Sequence, residues 1–130
     1  MPNWTEPRFV PQCPKSTPWG PPQQVKTVYS DGQGPGIVWV STAGHGGVWV
    51  RKDLNAKIPA QLRQCAFNGD GNWYEEDCSW CAPYLAFPDL IEDAKTPGKS
   101  GKTMLEYAQE TYSMWYAANL GPLEVQEAFI

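Results

Sequence analysis

The 130-residue sequence contains no apolar run near the roughly 20 residues that a membrane-spanning helix requires. Its opening, Met1-Pro2-Asn3-Trp4-Thr5-Glu6, has neither the basic start nor the apolar stretch of a signal peptide, so a cytoplasmic location is expected and a membrane partner is not. Positive charge is also scarce. Ten Lys and Arg stand scattered against fourteen Asp and Glu, for a net charge of −4. Without clustered cations to displace phosphate counterions, direct nucleic-acid binding is not expected. There is one histidine, so any Ser-His-Asp or Cys-His scheme must use His45, and no Gly-x-Ser-x-Gly nucleophile elbow is present. Four cysteines in a chain read as intracellular point to thiols or metal ligands rather than a disulfide framework.

What the sequence does have is aromatic area, with seven Trp, six Tyr and four Phe in a length that suits one domain. The expected fold class is α+β, a three-stranded antiparallel meander packed against two or three helices, with a Pro-rich extended N-terminal arm. Residues 1–24 hold seven prolines with Trp4, Phe9 and Trp19 among them, a composition that excludes helix and central strand. Residues 25–130 form the expected single domain. Val25–Tyr29, Ile37–Thr42 and Val48–Arg51 read as strands, separated by the turns 30–36 and 43–47. A short connection, helical or irregular and broken at Pro59, is expected over 53–62, and a dense turn over 68–72. Asn72 is placed to cap a helix running through Glu75, Glu76 and Asp77, with Pro83 bending or ending it. Another turn is expected over 88–94 and a loop over 96–101. Apolar spacing then predicts a helix from Met104 to Leu120, stopped by Gly121-Pro122.

Three constellations could carry chemistry. In Gly44-His45-Gly46-Gly47 the flanking glycines leave the imidazole open, which suits a general base. Glu75, Glu76 and Asp77 could orient that base or supply an acid, although successive residues of a helix point about 100° apart, so only one or two could face one site. Catalytic candidates are therefore His45, Glu75, Glu76 and Asp77, in a small hydrolase or transferase. Cys78-Ser79-Trp80-Cys81 is the third, a zinc half-site or redox pair that His45 and Cys65 could complete. The spacing of Tyr74, Cys78, Cys81 and Leu85 instead forms one apolar helical stripe, favouring core packing, and no metal or cofactor is expected. Two further motifs fail their own tests. An EF-hand count from Asn68 puts Trp73 where glycine belongs and Ser79 where a bidentate glutamate belongs, and Thr96 occupies the first glycine position of a P-loop.

The ordered set Thr17-Pro18-Trp19-Gly20, Val40-Ser41-Thr42-Ala43, Gly44-His45-Gly46-Gly47, Phe67-Asn68-Gly69, Trp73-Tyr74-Glu75-Glu76-Asp77-Cys78, Trp80-Cys81 and Leu85-Ala86-Phe87-Pro88 resembles DUF7007, a domain family of unknown function found in phages, plasmids and integrated elements. The resemblance spans about residues 17–88 and implies a setting rather than a reaction. Small proteins of such elements bind and redirect host macromolecules, including defence systems, so it implies an accessory protein in the host cytoplasm whose partner is a host or defence-system protein, as in anti-CRISPR or anti-restriction inhibition. A monomer or small homo-oligomer is expected, with Trp19, Gly46, Gly47 and Trp80 as candidate partner-binding residues. A zinc-stabilised interaction module is the remaining alternative.

Overall fold

The computed structural model describes residues 4–67 and 71–123. Four antiparallel strands lie in sequence order: β1 (Gln24–Asp31), β2 (Gly34–Ser41), β3 (Gly46–Val50) and β4 (Trp73–Glu75). Around them stand α1 (Lys52–Asn55), α2 (Ala60–Arg63), α3 (Cys81–Ala86), α4 (Met104–Trp115) and α5 (Ala117–Leu120). The α+β class and the meander match expectation, but the sheet has a fourth strand where a helix was predicted.

The reason lies in the side chains of that strand. Tyr74 faces the helices, fully buried, while Trp73 packs against the opposite face, which is the period of a strand. Asn72 caps nothing. Its backbone carbonyl accepts from Val50 N–H at 3.0 Å and its side-chain amide donates to Val50 O at 3.0 Å, extending the β3–β4 pairing. Glu76 and Asp77 then fall in turns, and α3 begins only at Cys81. Pro83 neither bends nor ends this helix. It is the third helical residue, where the first-turn N–H groups have no intrahelical acceptor and a missing one costs nothing. The predicted 104–120 helix is divided at Tyr116 (φ −125°, ψ −27°), and Trp115, the last residue of α4, is exposed although its spacing matched the buried stripe of Ala108 and Tyr112. Gly121 stops α5 at φ +87°, a conformation that favours glycine. The turn predicted over 68–72 lies partly outside the described residues.

Both faces of the sheet are covered. On one, Val28, Ile37, Val48, Val50 and Tyr74 pack against Leu54, Ile58, Leu62, Leu85, Ala108 and Tyr112 from the helical layer. On the other, Val25, Val38 and Val40 are covered by Cys13 and Val10 of the N-terminal arm. Thr5 and Val25 exchange two backbone hydrogen bonds of 2.8 Å, so the arm also pairs with the free edge of β1. Among the described residues, no helix is long and apolar enough to cross a membrane.

Arg51, where β3 passes into α1, ties the β1–β2 hairpin to that helix. Its guanidinium grips Asp31 in bidentate fashion at 2.9 and 2.8 Å and also donates to Asp53. The hydrogen bonds from Arg51 and from the Gln33 backbone hold Asp31 down at about pH 2, and Asp53 is lowered by the same guanidinium. Both folded-state values lie below the ordinary carboxylate value of 3.8, so this contribution to stability is present above about pH 3.8 and lost as pH falls towards about 2. Thermal melts at descending pH should therefore show a steeper loss through that window for the wild type than for Arg51→Met. Parallel acid limbs in the two proteins would refute the assignment.

Candidate functional site

The histidine turn is built by Thr42. Its buried hydroxyl donates to His45 O at 2.8 Å and accepts from His45 N–H at 3.2 Å, and its own backbone N–H donates to the same carbonyl at 2.9 Å. The backbone of His45 is thus held while its ring is exposed, without a hydrogen bond or ion pair to any described residue. The two following glycines are buried. A Cβ on Gly47 would lie 2.4 Å from Tyr74 O and 2.5 Å from the Trp19 ring, and one on Gly46 would lie 2.7 Å from Val40 O. Both positions need the absence of a side chain because backbone and indole approach them so closely. Trp19 lies half-buried over this spot, edge-on to Phe67 at 5.3 Å and to Trp73 at 5.6 Å.

Strand pairing brings the acidic segment to the same end of the sheet. Gly47 pairs with Glu75, and Glu76 N–H donates to Gly46 O at 3.1 Å. The Glu76 carboxylate runs beside Gly46, with Oε2 3.3 Å from where a Cβ would stand. Glu75 is half-buried, and its backbone N–H donates to the buried Ser79 hydroxyl while its carbonyl accepts from Trp80 N–H at 2.9 Å. Glu76 and Asp77 are exposed. The turn and the acidic residues are therefore neighbours through their backbones, and His45 stands at the solvent end of that pairing.

The cysteines fill the interior. Cys65 and Cys81 are buried, and burial pushes the Cys65 thiol up to about 12 and raises Cys81 as well, so both are protonated at neutral pH. Cys78 is half-buried. Among the described residues, no three His, Cys, Asp or Glu side chains are arranged to hold a metal ion.

Trp80 is buried too, and it leads to a feature that sequence reading missed. Its ring packs against Tyr84 at 5.3 Å and Trp39 at 6.1 Å, and the Trp39 indole N–H donates to the Tyr84 hydroxyl at 2.8 Å. On the far side of Trp39 and Tyr84 opens a cleft of about 860 Å³. Trp4 of the arm, Lys26 and Val28 of β1, the loop from Glu92 to Lys102, and Met104 and Tyr107 of α4 complete its lining. Burial is the first cause pushing Tyr84 up to about 12, with the hydrogen bond from Trp39 opposing and the charge of Asp93 adding to it. Lys26 Nζ sits 5.5 Å from the Trp4 ring centre and Lys102 Nζ 5.4 Å from that of Tyr107, so two rings of the cleft already face cations. No spacing rule unites residues drawn from the arm, two strands, two helices and a loop.

Fold and surface define an α+β domain with a covered four-stranded meander and an aromatic, lysine-rimmed cleft. The chain belongs to the DUF7007 family of domains of unknown function, whose model matches residues 12–128, and so takes in part of the arm and the C-terminal helices as well as the motif region. No curated protein and no solved structure matches the chain.

Proposed function

We propose that this is an accessory protein of mobile genetic elements that acts by binding a host protein, inhibition of a defence system being the expected outcome, and that the cleft beside Trp39 and Tyr84 is its recognition surface. The mobile-element setting rests on the family resemblance. The cleft is the observation that carries the binding reading. Concave sites lined by aromatic side chains with a few placed polar groups are where binding energy concentrates, because large rings lose much water-exposed area for little side-chain entropy. By contrast, nothing among the described residues orients the His45 ring towards a carboxylate, as a general base requires.

The test is comparative capture from host lysate. Trp4 is 40% exposed and Lys99 lies on the exposed loop, so Trp4→Ala and Lys99→Glu alter the cleft without opening the core. Wild type and His45→Ala should retain the same stoichiometric partner, while the two cleft variants weaken it by about tenfold or more, equivalent to about 1.4 kcal/mol. Retention by both cleft variants, or loss only in His45→Ala, would reject the reading, the latter in favour of chemistry at the histidine.

A further inference from the structure

The cleft carries one unmet demand. Asp93 borders it from the loop between α3 and α4, and its Oδ2 is buried without a hydrogen-bond partner among the described residues. A carboxylate oxygen removed from water and given no donor leaves the folded state with a desolvation penalty and no bond in return. Two of the donors that line the cleft are committed elsewhere. The Trp39 indole donates to Tyr84, and Lys102 donates to Glu110 at 2.6 Å.

Resting on the binding reading above, we propose that the cleft receives an arginine side chain of the partner protein, whose guanidinium donates to Asp93 while its face lies against the Trp39–Tyr84 wall. A guanidinium meets both halves of the site at once. It is planar, carries five N–H donors in a fork that matches a carboxylate, and stacks on aromatic rings. An ammonium is a compact, strongly hydrated point charge and does only one of these well. The carboxylate torsion of aspartate is broad, so a partial rotation about Cβ–Cγ, short of the half-turn that merely exchanges the two equivalent oxygens, turns Oδ2 out of its buried position towards an arriving donor. Lys99, exposed on the rim and without an ion pair to any described residue, suits an acidic residue flanking that arginine.

A nucleotide would also offer a flat ring, N–H donors and negative charge, but the loop is not built to cradle phosphate. Gly98 N–H donates to Lys102 O at 2.9 Å, Gly101 N–H to Gly98 O at 3.0 Å and Lys102 N–H to the Ser100 hydroxyl at 3.3 Å. Thr103 and Glu106 close the start of α4 with reciprocal bonds of 3.0 Å, placing a carboxylate where an anion would bind. Arginine therefore fits better than phosphate.

The experiment titrates the full-length, isotopically labelled protein with N-acetyl-arginine amide, N-acetyl-lysine amide and guanosine monophosphate, following the Trp39 indole N–H resonance. Arginine amide should give a saturable shift, lysine amide one about fivefold weaker or less, and the nucleotide none, because only the guanidinium combines stacking with a bidentate fork. Asp93→Asn should weaken the arginine response by about tenfold or more through loss of the charge. Asn tolerates the φ of +65° at this position, and circular dichroism checks that the variant folds. No saturable arginine shift, an undiminished response in Asp93→Asn, or saturation by the nucleotide would overturn the proposal. A null titration, with capture that still depends on Trp4 and Lys99, overturns the arginine assignment alone. Capture that ignores the cleft overturns the binding reading, whatever the titration shows.

Discussion

Replacing Tyr74 with alanine is expected to remove about 3–5 kcal/mol of folding stability, a large share of the roughly 5–15 kcal/mol that holds an ordinary domain folded. Tyr74 has no exposed surface, and it is the one β4 residue that faces the helical layer. Its ring belongs to the same core as Val48, its partner on β3, and the buried side chains of α2 and α3. The phenol donates to Asn55 Oδ1 at 2.7 Å, so the same residue fastens the sheet to the end of α1. Tyr74→Phe separates the two contributions. It keeps the ring and removes only the hydrogen bond, for an expected cost of about 1 kcal/mol. Urea unfolding of the two variants supplies the check. A Tyr74→Ala loss as small as that of Tyr74→Phe would mean that the ring does not hold β4 to the core.

Tyr74 also shows why the fourth strand was hidden. Its spacing to Cys78, Cys81 and Leu85 satisfies a helical stripe, and Tyr74, Cys81 and Leu85 are indeed buried. Burial was therefore legible, but the element was not, because two short structures joined by a turn reproduce the same periodicity as one helix. A three-residue strand carries too little alternation to compete with that pattern, and what makes it a strand is its pairing with Gly47–Trp49, a partner more than twenty residues away. The first three strands were readable because β-branched and aromatic runs alternate between glycine-rich turns, each wide enough to show its period. Even there the hairpin is tighter than predicted. Asp31 accepts from Gln33 N–H at 2.9 Å, and the strands pair up to Asp31 and Gly34 instead of ending before a seven-residue loop.

For the site, position was more legible than role. Glycines flanking a lone histidine drew attention to residues 44–47, and the structure does bring Gly46 and Gly47 against Glu75 and Glu76. A motif cannot say whether glycine is present to admit a ligand or to admit the protein's own atoms, since both require a missing side chain. Trp80, read as a contact residue, lies behind the cleft wall and supports Trp39 and Tyr84 from within. The cleft itself depends on how the arm crosses β1 and how the loop after α3 folds back, neither of which leaves a local pattern.

Gly47→Ala provides the sharpest separation of architecture from chemistry in the histidine motif, and it should destabilise the domain by about 1–3 kcal/mol or more, the range for overpacking a filled interior. The added methyl meets Tyr74 O at 2.4 Å and the Trp19 ring at 2.5 Å, and the first of these is backbone held in the β3–β4 pairing. The second neighbour is a side chain, which makes the cause divisible. Trp19→Ala alone loses the ring's packing on Trp73 and Phe67. Combined with Gly47→Ala it should cost less than the sum of the two single changes, because the cavity left by the indole takes up the methyl. Full additivity would place the strain on the Tyr74 carbonyl instead. His45→Ala belongs in the same series of thermal melts. Its ring is exposed and unpaired among the described residues, so the melting temperature should stay at the wild-type value, within the about 0.5 kcal/mol typical of surface changes. A domain weakened by a methyl at Gly47 and indifferent to the loss of the neighbouring imidazole would assign the glycines to the fold and leave His45 free for whatever the surface contacts; a His45→Ala loss comparable to that of Gly47→Ala would return the whole motif to architecture.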